Sequence, residues 1–294
     1  MSAMLAGIFR CTTKMMLPPD KIDRIEDARI QHGPLNQRIY LMQVGSSDLG
    51  RLISRMERLA AEQAYTKIFA KVPATKSDAF FNVGYVQEAS VPRFFRGRED
   101  ALFLCKYFHD SRRQENQPAT LNLIQNLALQ TKPDGSKEAS AVLYNVRPCG
   151  PDDVLEMSEL YARVFPSYPF PIDCPDYILE TMISHIDYFG VEYRGNLIAL
   201  SSAEMDREEK NVEMTDFATL PEWEGRGLGR HLLAAMETTV RQRGIQTAYT
   251  IARAASAGIN IIFARRGYRF SGRLVNNTNI SGCIESMNVW YKSL

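Results

Sequence analysis

A glycine-rich segment, residues 219–233, is the part of the sequence whose residue types and spacing most directly indicate chemistry. It reads Thr-Leu-Pro-Glu-Trp-Glu-Gly-Arg-Gly-Leu-Gly-Arg-His-Leu-Leu and runs from the end of a predicted strand into a predicted amphipathic helix. Glycines let the backbone pass close to a ligand, and the free N–H groups of a first helical turn attract anions. Arg226 and Arg230 add positive charge. The segment therefore predicts a pyrophosphate site.

The glycine spacing separates this segment from two other phosphate-binding motifs. The third glycine comes too early for a dinucleotide fingerprint, and the preceding strand is the fourth of its domain. A P-loop is excluded because no Gly-Lys-Ser/Thr follows. The residues expected to bind the pyrophosphate-bearing ligand as a whole are Ala218, Thr219, Leu220, Gly225, Arg226, Gly227, Leu228, Gly229 and Arg230.

The elements around the segment predict an α/β domain. Apolar periodicity predicts helices over 152–164, 176–185, 227–243 and 256–265, and strands over 141–147, 188–193, 197–205, 212–220, 246–253, 268–275 and 285–291. This order, β-α-α-β-β-β-α-β-α-β-β, is that of a single mixed sheet with helices on both faces.

The N-terminal half repeats the last part of this order, with strands over 38–44, 65–72, 86–91 and 101–108 and helices over 48–62 and 76–82. Tyr65-Thr66 precedes Gly84-Tyr85 much as Tyr249-Thr250 precedes Gly267-Tyr268. These matches favour an internal duplication, and the alternative is that α/β units simply look alike. The N-terminal half passes from strand to helix without a glycine-rich segment, so we expect it to have no pyrophosphate site of its own.

These patterns predict four parts of the chain. They are a flexible leader at 1–20, a partial repeat at 21–130, a linker at 131–138 and the main domain at 139–294. The linker is placed where Pro and Gly interrupt a polar stretch.

Composition and charge exclude several classes of protein. The net charge of +1 gives no case for a nucleic-acid or membrane-surface binder. No apolar run approaches the roughly 20 residues that span a bilayer. The five cysteines form no C-x-x-C pair and have no companion histidine pattern, which indicates reduced thiols in a cytoplasmic protein without a metal site.

The glycine-rich segment resembles the acetyl-CoA loop of the Gcn5-related N-acetyltransferase (GNAT) superfamily, whose pattern is Arg/Gln-x-x-Gly-x-Gly/Ala. The element order from Ala141 to Tyr291 resembles that superfamily's fold. One position departs from the pattern, because Glu224 stands where Arg or Gln is usual. A carboxylate near a pyrophosphate costs energy unless it points to solvent or pairs with Arg226.

A narrower resemblance covers nearly the whole chain. It is carried by the segments Gln31-His-Gly, Arg38-Ile-Tyr-Leu-Met, Tyr65-Thr-Lys-Ile-Phe-Ala-Lys-Val-Pro, Glu213-Met-Thr-Asp-Phe-Ala-Thr-Leu-Pro, Tyr249-Thr-Ile-Ala-Arg-Ala and Asn276-Asn-Thr-Asn-Ile-Ser-Gly. They resemble the beta-lysine N-acetyltransferase family. The resemblance implies transfer from acetyl-CoA to the ε-amine of β-lysine, giving a compatible solute used in osmoadaptation, and a lysine 2,3-aminomutase as pathway partner.

The resemblance also suggests catalytic residues. Glu213 occupies the place where some superfamily members carry their general base, and Asp216 is the second candidate. In a regular strand their side chains would point to opposite faces, whereas a bulge would bring them together. Many members protonate the leaving thiolate with a Tyr, but Phe263 holds that place here, which leaves water or Tyr268.

For the acceptor, the sequence suggests Arg253 at the end of a strand, and Asn276, Asn277 and Asn279 in a loop between the last two strands. The alternatives are an ion pair for Arg253 and a plain surface turn for the asparagines. The N-terminal half, with its polar Gln31-His32-Gly33, is expected to shape the acceptor pocket or an interface such as that of a homodimer.

Two other functions stay open at this point. One is acetylation of a different amine, such as a polyamine or a protein lysine. The other is an acyl-CoA-binding sensor without catalysis, which Glu224 and Phe263 suggest.

Overall fold

Two β-sheets pack against each other in the computed structural model, which describes residues 20–133 and 144–294. The N-terminal sheet contains β1 (Lys21–Ile25), β2 (Ala28–Gly33), β3 (Arg38–Gln43), β4 (Lys67–Pro73), β5 (Val86–Phe95) and β6 (Glu99–Tyr107). The C-terminal sheet contains β7 (Asn145–Pro148), β8 (Ile186–Tyr193), β9 (Asn196–Asp206), β10 (Asn211–Thr219), β11 (Thr247–Arg253), β12 (Arg269–Ile280) and β13 (Cys283–Ser293). The helices are α1 (Leu49–Glu62), α2 (Asp78–Phe81), α3 (Pro118–Leu129), α4 (Val154–Val164), α5 (Pro175–Ser184), α6 (Leu228–Gln242) and α7 (Ala257–Arg265).

The two sheets share one topology. The N-terminal order is β1-β2-β3-β4-β6-β5, and the last six strands of the chain follow the same order, β8-β9-β10-β11-β13-β12. Each sheet has one parallel pair at the same place, β3 with β4 and β10 with β11. A helix connects each parallel pair, as crossover connections require. The N-terminal sheet therefore repeats the last six strands of the C-terminal one.

Helices cover the outer faces of the sheets. Asp48 caps α1 by accepting a hydrogen bond from the Arg51 N–H at 2.8 Å, and Leu52, Ile53 and Met56 bury the inner side of the helix against the N-terminal sheet. On the C-terminal sheet, α6 and α7 pack on one face and α4 and α5 on the other. Both faces of each sheet thus have a core.

The inner face of the N-terminal sheet packs on strands β11, β12 and β13. Tyr40, Phe69 and Phe103 from the N-terminal sheet share a core with Tyr249 and Met287 from the C-terminal one. Among residues 20–133 no helix lies in this core, so one repeat covers the other and buries apolar surface that would otherwise face water.

Three findings differ from the sequence analysis. Strands β1 and β2 were not predicted: β1 is mostly exposed, and β2 buries polar Gln31 and His32 through hydrogen bonds that periodicity does not reveal. The predicted loop at 276–281 is instead largely the end of β12, with a bulge between Leu274 and Thr278. Helix α3 lies within residues 21–130, which the sequence analysis assigned to the partial repeat, but it packs on the C-terminal domain through Ala128.

The predicted strand 141–147 is found as β7, and its first three residues lie outside the described part of the chain, as do the leader up to residue 19 and most of the linker. The other predicted helices and strands are found within a few residues of their expected bounds. In the described residues, the helices are all too short or too polar to cross a membrane.

Candidate active site

A cavity of about 670 Å³ lies where the two sheets meet. Its wall includes the glycine-rich loop and α7 from the C-terminal domain, and residues of β3 and β4 from the N-terminal repeat. Both predicted carboxylates, Glu213 and Asp216, line it. The cavity therefore combines the predicted cofactor loop, the predicted bases and the repeat in one site.

The cavity opens where two neighbouring strands separate. Strands β10 and β11 pair only from Asn211 to Glu213, which lies opposite Tyr249. Beyond Tyr249, β11 continues along β13 to Arg253, while β10 continues along β9 to Thr219. The gap between β10 and β11 leads to the glycine-rich loop.

The glycine-rich loop has the backbone shape that its sequence predicts. Gly225 and Gly227 have φ angles of 74° and 72°, in the left-handed region that favours glycine, and α6 begins at the next residue, Leu228. A Cβ built on Gly225 or Gly227 would meet no atom within 4 Å, so open space adjoins the start of the helix. These features fit the pyrophosphate of acetyl-CoA.

The predicted cofactor residues divide into two groups. Those that line the cavity are Thr219, Gly225, Gly227, Leu228 and Gly229. Ala218 and Leu220 are buried in the core under α4 and α5, and the Arg226 guanidinium stacks over the Trp223 ring at 4.6 Å. Arg230 lies in the first turn of α6, outside the cavity wall. Glu224, the departure from the superfamily pattern, does line the cavity.

A methyl group on Gly227 tests the loop directly. We expect Gly227→Ala to cost about 1–3 kcal/mol of stability through its positive φ, and to raise the KM for acetyl-CoA roughly tenfold by displacing the loop. Gly195→Ala is the matched control, because Gly195 also has a positive φ and open space but lies in the turn between β8 and β9. Steady-state kinetics would contradict the assignment if both variants changed KM equally.

Glu213 stands in the middle of a row of polar side chains across three strands. Its register partners are Glu204 on β9 and Tyr249 on β11, and all three line the cavity. Burial and the charge of Glu204 raise the pKa of Glu213 to about 7, although Lys71 and a hydrogen bond from Tyr249 act in the opposite direction. A carboxylate with this pKa can exchange protons near neutral pH.

Asp216 reaches the same cavity through a bulge in β10. Its φ is 55°, and the pairing of β10 with β9 shifts between Thr215 and Ala218. Its carboxylate accepts hydrogen bonds from the hydroxyls of Tyr168, at 2.5 Å, and Ser202. Burial raises the pKa of Asp216. Asp216 is therefore held by protein hydroxyls, whereas Glu213 faces a second carboxylate.

Lys71 brings a positive charge from the N-terminal repeat to this row. Its Nζ donates to the Tyr249 hydroxyl at 3.1 Å and lies 5.4 Å from the centres of the Phe94 and Tyr249 rings. Burial acts to lower the pKa of Lys71, but the facing Tyr40, Glu213 and Glu204 raise it above the usual value. Lys71 therefore stays protonated next to Glu213.

The structure does not bring all four predicted acceptor-binding residues to the cavity. Arg253 lines the cavity, but its guanidinium donates to both Glu285 oxygens, at 3.0 and 2.7 Å. The Asn276 amide donates to the carbonyls of Arg112 and Gln114, and Asn279 accepts from the Ser167 hydroxyl. Neither asparagine lines the cavity. Asn277 does, and its Oδ1 is buried without a partner among the described residues.

Three basic side chains of the N-terminal half hold the β12 bulge in place. Lys67 donates to the Val275 carbonyl oxygen and Arg112 Nε to that of Asn276, both at 2.7 Å. Arg38 Nη1 donates to the Asn277 carbonyl oxygen at 2.5 Å. Each carbonyl released from the β12–β13 ladder thus has a donor, as buried backbone groups require. These contacts bring Asn277 to the cavity.

The strand-to-helix turn of the N-terminal repeat is filled by its own carboxylate. Asp27 accepts hydrogen bonds from Ser46 N–H and Oγ and from Ser47 N–H and Oγ, just before α1. The serine hydroxyls and the Ser46 N–H hold the pKa of Asp27 well below its usual range. A Cβ on Gly45 would collide with this carboxylate. This occupied turn gives a physical reason for the prediction that the repeat binds no acetyl-CoA.

The place of the leaving-group acid is apolar. Phe263 is fully buried between Phe217 and Tyr268, at ring distances of 5.5 and 4.9 Å. Tyr268 belongs to the core under α6 and α7 and does not line the cavity. Burial raises the pKa of Tyr268 well above its usual value. Tyr268 is thus poorly placed to protonate a thiolate in the cavity, which leaves water as the candidate proton donor.

Sequence reasoning missed four charged residues that line the cavity: Arg38, Lys71, Glu204 and Arg265. Arg38 and Lys71 stand in segments that resemble the beta-lysine family, but nothing local shows that their strands face the cleft of the other repeat. Glu204 becomes a partner of Glu213 only through the register of β9 with β10. Long-range pairing, which the sequence does not display, brings these residues together.

The comparisons with known proteins agree with this geometry. The profile of the Acetyltransferase (GNAT) family matches residues 154–268, which contain the glycine-rich loop and both carboxylates. The fold and the site thus define a GNAT N-acetyltransferase. No group of three or more His, Cys, Asp or Glu side chains suited to a metal ion occurs in the parts of the chain described, 20–133 and 144–294.

Three curated relatives match over most of their length. A Beta-lysine N(6)-acetyltransferase of Methanococcus maripaludis is 40% identical, covering 93% of this chain and 98% of the relative. One of Methanosarcina mazei is 32% identical, covering 81% and 95%. The N-acetyltransferase YodP of Bacillus subtilis is 28% identical, covering 91% and 96%. The chain belongs to the beta-lysine N-acetyltransferase family within the GNAT acetyltransferases.

Proposed function

We propose that this enzyme transfers the acetyl group of acetyl-CoA to the ε-amine of β-lysine in the cavity between the two repeats. The observation that carries the proposal is the composition of the cavity wall. A GNAT cofactor loop, a carboxylate with a pKa near 7 and cations of the N-terminal repeat line one cavity. The names of the relatives from Methanococcus maripaludis and Methanosarcina mazei support β-lysine as the acceptor.

Glu213 is the proposed general base. An ε-ammonium has a pKa near 10.4 and must lose a proton before its nitrogen can attack a thioester. Glu213 accepts that proton in its ionised form, while Lys71 opposite it disfavours a second positive charge on the bound amine. The nitrogen then forms the new amide bond as the carbon–sulfur bond breaks, and it releases its second proton to water. Coenzyme A leaves as a thiolate that takes a proton from water.

The acetyl group is expected to lie in the gap between β10 and β11. The glycine-rich loop holds the pyrophosphate through the first N–H groups of α6 and through the backbone at Gly225 and Gly227. The thioester then reaches towards Glu213 at the end of the paired part of the two strands. Asp216 supports this geometry as a positioning residue that fixes Tyr168 and Ser202.

The packing of the repeats favours a small acceptor over a protein lysine. A protein substrate needs an open groove, whereas β3 and β4 place Arg38, Tyr40, Met42, Phe69 and Lys71 on the cavity wall. Two cations among these residues also oppose a polyamine, which carries positive charge along its whole length. A small acceptor that carries a negative group fits this wall best.

The substrate test uses purified protein and acetyl-CoA, with free thiol measured over time. β-Lysine, α-lysine and spermidine are offered in separate reactions. We expect β-lysine to give the highest kcat/KM. Equal thiol release with all three amines would indicate a general amine acetyltransferase. No thiol release, with acetyl-CoA still bound, would favour an acyl-CoA-binding sensor without catalysis.

Other parts of the sequence-based hypothesis go with this proposal. They are the role of the product as a compatible solute in osmoadaptation, supply of β-lysine by a lysine 2,3-aminomutase, a cytoplasmic location, and a possible homodimer. The first two remain predictions of the family resemblance, the cytoplasmic location remains a prediction from the cysteine pattern, and the homodimer remains a prediction about the N-terminal half.

A further inference from the structure

Two buried side chains of the cavity wall have a polar atom without a partner in the described residues. Arg38 is 3% exposed and its Nε has no acceptor, while Asn277 is 1% exposed and its Oδ1 has no donor. A buried polar group that lacks a hydrogen bond is costly. Because both side chains line the same cavity, a ligand bound there can complete both.

Arg38 and Asn277 are neighbours. Arg38 Nη1 donates to the Asn277 carbonyl oxygen at 2.5 Å and to Thr278 Oγ1 at 3.0 Å, and these contacts fix the plane of the guanidinium. The rings of Tyr40 and Phe69 lie 5.6 and 5.8 Å from its central carbon. The guanidinium is therefore held rigidly with its Nε unused.

The charge of Arg38 lacks a contact partner. No Asp or Glu oxygen of residues 20–133 or 144–294 forms an ion pair with it, and its Nη2 meets only the neutral Gln31 amide, at 3.5 Å. Burial lowers the pKa of Arg38, although the carboxylates of Asp20 and Glu213 act in the opposite direction without touching it. A buried guanidinium whose fork is partly free suits a carboxylate, which would supply the missing charge and accept from Nε.

The unpartnered oxygen of Asn277 limits the class of ligand that fits this site. Asn277 Oδ1 is a neutral acceptor beside this cation, so it suits an ammonium group near a carboxylate. A phosphate would satisfy Arg38 but offer no donor to Asn277, and a diamine would leave Arg38 unpaired. An amino acid in its zwitterionic form satisfies both.

We propose that Arg38 binds the carboxylate of the acceptor and Asn277 the ammonium group near it, so that the repeat supplies the subsite for the amino-acid end of the substrate. This assignment rests on the proposed function for the other end, whose amine reacts at Glu213. Cavity-lining side chains connect the two ends, from Arg38 through Tyr40 on the same strand to Lys71, next to Glu213. The N-terminal repeat is then the specificity determinant of the enzyme.

The test compares acceptors that differ only in one group. They are β-lysine, its carboxamide, which lacks the anion, and 1,4-diaminopentane, which lacks the carboxylate altogether. For the wild-type protein we expect kcat/KM for β-lysine to exceed the other two by roughly 100-fold. Arg38→Met should lower the β-lysine value by about the same factor and leave the 1,4-diaminopentane value within a few fold.

This comparison separates recognition from a purely structural role. Arg38 also holds the β12 bulge, and loss of that support would lower kcat/KM for all three acceptors alike, which would overturn the proposal. Arg253→Met is measured in parallel. If Arg253→Met, and not Arg38→Met, removed the preference for β-lysine over the other two acceptors, the substrate carboxylate would be placed at Arg253. Asn277→Leu provides an independent variant. It is expected to lower kcat/KM for β-lysine but not for 6-aminohexanoate, which has no second amine.

Calorimetry with β-lysine and the CoA-loaded protein distinguishes failure of this subsite from failure of the proposed function. Binding to the wild type that is lost in Arg38→Met, without acetylation, would support the subsite and reject the proposed reaction. Acetylation of β-lysine with an unchanged Kd in Arg38→Met would overturn the subsite and leave the reaction standing. Absence of binding to the wild type would overturn both.

Discussion

Replacing Glu213 with Gln should lower kcat about 10²- to 10⁴-fold, the range typical for loss of a general base. The change keeps the shape of the side chain but removes the group that accepts the proton from the acceptor amine. Acetyl-CoA binding should be unaffected, because Glu213 lies before the glycine-rich loop in the chain and is not part of it. Single-turnover thiol release and equilibrium binding of acetyl-CoA measure the two effects separately.

The pH profile adds a second test of Glu213. Its pKa is raised to about 7, so the carboxylate is protonated and inactive as a base below that pH. For the wild type, kcat/KM should rise with pH as a single ionisation with a midpoint near 7 and then level off until the amine itself titrates, near 10.4. Glu213→Gln should lack the rise near pH 7.

Asp216→Asn is the matched control for Glu213→Gln. It neutralises a second carboxylate of the same strand and the same cavity, but one that already accepts hydrogen bonds from Tyr168 and Ser202. We expect a loss of about tenfold, with the ionisation near pH 7 retained. A larger loss in Asp216→Asn, together with disappearance of that ionisation, would make Asp216 the base.

Lys67→Met should destabilise the protein by about 3–5 kcal/mol, the cost of leaving a buried charge without its partner. Lys67 is fully buried, and its Nζ donates to Glu88 at 3.0 Å and to the Val275 carbonyl oxygen at 2.7 Å. Without Lys67, the Glu88 carboxylate loses its cationic partner, and the Val275 carbonyl oxygen loses its donor at 2.7 Å and keeps the Tyr107 hydroxyl at 3.4 Å. Denaturant unfolding measures the change.

Two further variants separate the buried charge from the lost side chain. Lys106→Met removes a lysine paired with Glu57 at 2.7 Å in a partly exposed position and should cost about 1 kcal/mol or less. Lys67→Met combined with Glu88→Gln should recover part of the stability, because the unpaired charge is gone. If Lys67→Met behaved like Lys106→Met, the buried Lys67–Glu88 pair of the N-terminal repeat and its contacts with Val275 would not contribute the expected stability.

The sequence predicted the fold well where a local pattern determines it. The glycine-rich loop, helix α6 and the hairpin of β8 and β9 follow from apolar periodicity and from glycines with positive φ, and all are found close to their expected places. The repeat could also be inferred, because both halves carry the same succession of elements. Local signals of this kind are strong because each depends on neighbours along the chain.

The site was harder to predict because it depends on pairing between distant segments. Arg38, Lys71 and Asn277 meet only when one repeat packs on the other, and Arg38 and Asn277 are 239 positions apart in sequence. The polar run at 276–279 looks like a loop, yet its carbonyls are bound by buried cations within a bulged strand. Nothing in the run itself indicates those donors.

The position of the acetyl group in the product of β-lysine tests the account most directly. β-Lysine has two amines, and anchoring of its carboxylate at Arg38 leaves only the far amine able to reach Glu213. NMR of the product after complete turnover should show the acetyl group on the ε-nitrogen alone. Acetylation of the amine next to the carboxylate end, or a mixture of both products, would contradict the proposed orientation of the substrate between the two repeats.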